Sequence, residues 1–157
     1  MFIKQPGLTL IEILLVITLI AILAAAILVA IDPARRMAQA RNARRWEECE
    51  AILNAVLKYM VDHEGEYPSG LDNITTSAQV LGTASNGCDT TCGAVTTVSS
   101  CLDLSSDLVG RYIASIPKDP KTGTAANTDY YINKTSDGRV RVGACDPELS
   151  EVIFVER

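Results

Sequence analysis

Among the 157 residues, the groups whose types and spacing could do chemistry are few: five cysteines, a single histidine, and one carboxylate inside an apolar run. Cys88, Cys92, Cys101 and Cys145 fall in the C-terminal two-thirds of the chain, whereas Cys49 lies apart on an expected helix. Four closely placed cysteines in a small domain either bind zinc or form disulfides. Cys88-Asp-Thr-Thr-Cys92 with Cys101 is loose for a metal site, so two disulfides among Cys88, Cys92, Cys101 and Cys145 are expected, with three pairings open and Cys49 left over. Nucleophilic catalysis by a histidine-dependent triad needs a histidine in a cluster, and His63 stands alone at a helix end, where it reads as a solvated residue. Asp137-Gly138 lacks the further oxygen donors that calcium requires, and Asp119 and Asp137 read as turn residues. No enzyme activity, cofactor or metal is expected.

Glu12 is the residue that most needs an explanation. From Leu8 to Ile31 the only other polar side chains are Thr9 and Thr18. As a helix this run would extend about 36 Å, enough to cross a hydrocarbon core of about 30 Å. A secretory signal has a shorter apolar core and a small-residue cleavage site at its end, whereas here apolar sequence continues past Ala24-Ala25-Ala26. A carboxylate in such a segment either snorkels to the membrane surface or meets a partner from another chain.

The string Gly7-Leu8-Thr9-Leu10-Ile11-Glu12, followed by about twenty apolar residues, resembles the processing site of type IV prepilins. The resemblance implies cleavage after Gly7 by a prepilin peptidase, N-methylation of Leu8, and pairing of Glu12 with the N-terminal amine of a neighbouring subunit. It departs from the family in having Leu8 where Phe is usual, a single leader lysine, Lys4, and Pro6 directly before the glycine. It further implies a homo-oligomeric helical filament, a membrane assembly platform with its ATPase, and residence in the inner or cytoplasmic membrane with the C-terminal domain outside, then in a filament or the periplasm. The implied role is a structural subunit of a type IV pilus-like filament. The alternatives are a pseudopilin of a type II secretion or DNA-uptake system, or a single-pass membrane sensor that would keep residues 1–7.

Charge is unevenly spread. Residues 33–58 hold six basic against three acidic side chains, while residues 62–157 hold seven against fourteen, a net of −7. Nucleic acid binding by the subunit alone is not expected. Arg35, Arg36, Arg41, Arg44 and Arg45 directly after the apolar run would favour the cytoplasmic side on charge alone, opposite to the side the prepilin resemblance implies. An Arg44–Glu48 pair is expected at four-residue spacing.

The elements that must position these residues are legible in outline. Asp32-Pro33 should break or kink the helix. Residues 34 to about 63 then carry an apolar stripe at Cys49, Leu53, Val56 and Met60, widened by Ile52 and Leu57, and Gly65 with Pro68 should end that helix. Residues 69–101 read as a loop without regular structure. A short helix capped at Ser105 or Ser106 should present Leu108, Val109, Tyr112 and Ile113 and stop before Pro117. Ile116-Pro117-Lys118-Asp119-Pro120, Gly123 and Tyr130-Tyr131 are similar to a loop-then-strand signature of pseudopilins and related pilins. Tyr130–Asn133, Arg139–Val142 and Val152–Val155 read as an antiparallel sheet. The expected class is α+β and pilin-like: leader 1–7, membrane or filament-core helix 8–31, amphipathic continuation 32–64, and a globular domain 65–157 with the sheet. Asn73-Ile74-Thr75 and Asn133-Lys134-Thr135 match the N-glycosylation pattern.

Overall fold

The computed structural model describes residues 7–157, and Lys4 and Pro6 of the leader lie outside the described residues. The chain divides into two compact units, one reaching to Met37 and one comprising Ala38–Arg157. The first contains helix α1, Leu10–Ile31. Helix α2 spans Pro33–Asp62. Pro33 sits at the first helical position, where its missing N–H costs nothing. Asp32 separates the two helices in a left-handed conformation, φ 45°, and its carboxylate accepts the Arg35 N–H at 3.3 Å. The expected break is thus one residue long.

The second unit is α+β. Its four-stranded sheet is antiparallel throughout in the order β1 (Gln79–Val80), β2 (Tyr130–Lys134), β3 (Val140–Ala144), β4 (Phe154–Glu156). Strand side chains alternate between faces. Tyr130 and Ile132 of β2, with Val140, Val142 and Ala144 of β3, join Cys49, Ile52, Leu53, Ala55 and Val56 of α2 in one buried cluster. The stripe read from the sequence is therefore the face α2 buries. Tyr131 points the other way, into a smaller cluster with Ala78, Val80, Cys88 and Cys145. Its register partner is Gly143, and a Cβ there would stand 2.4 Å from the Tyr131 hydroxyl oxygen. Only glycine leaves room for that ring.

Two sequence expectations are corrected. Residues 69–101 are not without regular structure: β1 lies there, and residues 96–102 run alongside it, with Leu102 N–H donating to the Val80 carbonyl at 2.7 Å. A two-residue strand is too short to show alternation in sequence. The helix expected before Pro117 is a single turn, α3, Ser105–Leu108. Gly110 at φ 88° turns the chain back, and its N–H donates to the Ile113 carbonyl at 2.9 Å. Glycine's access to left-handed backbone outweighs the helical spacing of Val109, Tyr112 and Ile113.

Candidate functional site

Gly7 is an open stretch of backbone, with no atom within 4 Å of where a Cβ would stand, and Leu8 after it is 76% exposed. Thr9, extended at φ −81° and ψ 153°, is the N-cap of α1. Its hydroxyl accepts the Glu12 N–H at 3.3 Å, while the Glu12 carboxylate accepts from both the Thr9 N–H and the Thr9 hydroxyl at 2.7 Å. This reciprocal capping box satisfies donors that a helix start leaves open and places a negative charge at the positive end of the helix dipole. Glu12 therefore has a partner within its own chain, which the reading of Glu12 as dependent on a membrane surface or another chain overlooked. The signal was present as Thr-x-x-Glu before an apolar run.

Beyond Glu12, α1 offers a membrane or another helix almost nothing polar. Thr18 donates its hydroxyl to the Leu15 carbonyl at 2.8 Å, so its one polar group is spent on the helix itself. Leu10–Val29 is long and apolar enough to cross a bilayer, and none of it is buried within the chain. A helix apolar on every side with no buried face is built to meet lipid or other apolar helices.

Residues 3–28, which span the Gly7–Leu8 junction, Glu12 and most of α1, match the family model of the prokaryotic N-terminal methylation motif. The chain carries that motif. It is the class III signal peptide found on type IV pilins and pseudopilins. Neither the curated proteins nor the solved structures give a match. The prepilin-type N-terminus thus rests on the motif, and the globular unit must be read from its own geometry.

That unit places the remaining candidates as follows. Cys88 is joined to Cys101 and Cys92 to Cys145, leaving Cys49 free and buried. Burial pushes the Cys49 thiol up to about 12, so it stays protonated and unreactive. His63 is half-buried rather than solvated: its ring stacks on Tyr59 with centroids 3.9 Å apart, and Nδ1 lies 2.8 Å from the Tyr59 carbonyl. The expected Arg44–Glu48 pair forms at 2.8 Å, and Glu48 also accepts from the buried Tyr130 hydroxyl.

An ionic cluster on α2 went unread. Arg45 is fully buried and grips Asp119 through Nε at 2.6 Å and Nη2 at 3.0 Å, a bidentate pair. Its Nη1 donates to Asn42 Oδ1 at 2.8 Å and to Glu148 at 3.1 Å. Arg41 donates to the two oxygens of Glu148 at 2.6 and 2.8 Å, and Lys121 reaches Glu148 at 3.2 Å. Burial alone would raise the Asp119 carboxyl, but Arg45 and the N–H groups of Lys121 and Thr122 outweigh it and hold it below the usual range. The Arg41 hydrogen bond, opposed by burial and joined by Arg45 and Lys121, holds Glu148 well below its range. Asp119 does shape a turn, as expected, but its main partner is Arg45. The clue was spacing: Arg45, Cys49, Ile52 and Val56 share one helix face, so Arg45 had to be buried with them. Of the arginines that bias charge after α1, Arg41, Arg44 and Arg45 are engaged by carboxylates in the folded unit.

Proposed function

We propose that this chain is a structural subunit of a type IV pilus-like surface filament, with residues 1–7 removed as a leader, residues 8–31 forming the membrane and then filament-core segment, and residues 32–64 leading into a globular domain at 65–157. Prepilin peptidase cuts after Gly7, Leu8 becomes the methylated N-terminus, and Glu12 takes the amine of a neighbouring subunit as its counter-charge during assembly. The single observation that carries this reading is the methylation-motif match over residues 3–28, coincident with an apolar helix that has no buried face. The two disulfides support an oxidising location for the globular unit. The partners on this reading are copies of the same chain, the peptidase, and a membrane assembly platform with its ATPase.

Mass spectrometry of the N-terminal peptide from the native host tests it. A chain beginning at methylated Leu8 is expected. An intact Met1 in cells with active prepilin peptidase would sink the filament reading and favour a membrane-anchored sensor. Imaging then separates the systems: long surface fibres containing the chain indicate a pilus, and their absence from cells with processed chain indicates a pseudopilin of secretion or DNA uptake.

A further inference from the structure

A hollow of about 340 Å³ in the second unit is floored by the hydrophobic core itself. Leu81, Leu102 and Leu104 belong to the buried cluster that includes the α2 stripe, yet each also lines this hollow, together with Val109 and Ile116. A volume of this size falls within the range of small-molecule sites, which combine apolar walls with a few polar groups that fix orientation.

Most polar groups around the hollow are engaged within the chain. Thr128 donates its hydroxyl to the Leu81 carbonyl at 2.8 Å, and Thr83 donates its own to the Ala125 carbonyl at 3.4 Å. Along the floor the Leu102 N–H donates to the Val80 carbonyl at 2.7 Å, and the Gly82 N–H to the Leu102 carbonyl at 3.0 Å. Asp103 is taken up by Ser105, whose N–H and hydroxyl donate to it at 2.9 and 2.5 Å. What these walls accommodate is apolar surface. Lys118, at the edge, differs: its side chain is exposed and enters no ion pair or hydrogen bond among the described residues, whereas nearby Lys121 reaches Glu148. The exposed Ser115 also lines the hollow and likewise has no side-chain partner among the described residues. An unpaired ammonium beside an apolar recess suits a molecule that is apolar at one end and anionic at the other, because the tail leaves water while the charge stays at the surface. The space takes one chain of moderate length and not the paired chains of a phospholipid.

We propose that this hollow binds a medium-chain fatty acid anion, with the chain between Leu81, Leu102, Leu104 and Ile116 and the carboxylate at Lys118 and Ser115. The site lies wholly in the second unit and does not depend on the filament reading.

The test uses the full chain in lipid nanodiscs, irradiated with a diazirine-bearing octanoate, with the labelled residues read by mass spectrometry. Label within residues 102–116 is expected, displaced by unlabelled octanoate and not by octanol at the same concentration. Lys118→Glu should lower that label on the order of tenfold, and Lys118→Arg should keep it. Val109→Trp places a large ring in the half-exposed wall and should remove the label, while mapping of Cys88–Cys101 and Cys92–Cys145 in the variant checks that it is folded. Label that octanol displaces equally, or that persists in Lys118→Glu, overturns the site. Label confined to Leu10–Val29, the result of partition into the bilayer alone, overturns it as well.

Discussion

Thr9 engages one oxygen of the Glu12 carboxylate with two hydrogen bonds, so the contact proposed for the Leu8 amine supplies a counter-charge to a carboxylate that the capping box already holds in place. Glu12→Gln keeps an oxygen for the Thr9 N–H but removes the charge. It is expected to leave cleavage after Gly7 intact, by N-terminal mass, while filament yield falls on the order of tenfold. Gly7→Val tests the other half of the site. Because nothing stands within 4 Å of where a Cβ would be added, the substitution is expected to leave the fold unchanged, and a chain retaining Met1 would report lost peptidase recognition. At Arg45 the argument concerns stability. Asp119→Asn removes one of the two carboxylates paired with the buried Arg45 guanidinium, leaving Glu148, and should cost about 3 kcal/mol in denaturant unfolding. The depressed Asp119 carboxyl contributes stability above its unfolded value near 3.8, and that stability is lost as pH falls through the lower folded value. Asp129 has the opposite sign. Burial, aided by Asp146 and Asp119, raises its carboxyl, so as pH rises past 3.8 the unfolded chain releases a proton that the folded chain retains, and stability falls. Asp129→Asn is therefore expected to unfold at higher urea than wild type at pH 7, with the difference vanishing below pH 3.8.

Element by element, the sheet is held from both faces. On one face α2 buries an apolar strip from Cys49 to Val56, preceded by the ionic strip of Arg41, Asn42 and Arg45. On the other, the segment carrying Cys88, Cys92 and Cys101 covers Tyr131. The disulfides differ in what they constrain: Cys88–Cys101 closes a separation of 13 residues and Cys92–Cys145 one of 53. On chain-entropy grounds alone, replacing each pair by serine should cost about 3 and about 4 kcal/mol respectively, measured by denaturant unfolding of the oxidised protein. Equal costs would show that local packing, and not the size of the loop, sets their contribution.

For the molecule as a whole, no residue of Leu10–Val29 is buried, and the buried core cluster of the second unit is drawn from residues between Cys49 and Ile153. A chain lacking residues 1–32 is expected to be soluble, to form both disulfides and to unfold in one cooperative transition. Aggregation of that fragment with scrambled disulfides would show that the second unit needs α1 to fold.

The sequence by itself determined the features that depend on local pattern. The methylation motif that includes Gly7–Glu12, the apolar run, the break at Asp32-Pro33, the buried stripe of α2 and the β2–β3 hairpin each follow from side chains a few residues apart, where propensity and periodicity act directly. The Thr9–Glu12 cap was equally local and was simply overlooked. Tertiary structure alone decided the features whose partners lie far apart along the chain. The choice of Cys88–Cys101 with Cys92–Cys145 among three pairings, the two-residue β1, and the union of Arg45 with Asp119 and Glu148 across 74 and 103 residues all depend on which surfaces meet once the core has closed. A buried charge makes the point most sharply. Helix periodicity says that Arg45 must go inside, but only the folded loops say which carboxylates will be waiting there.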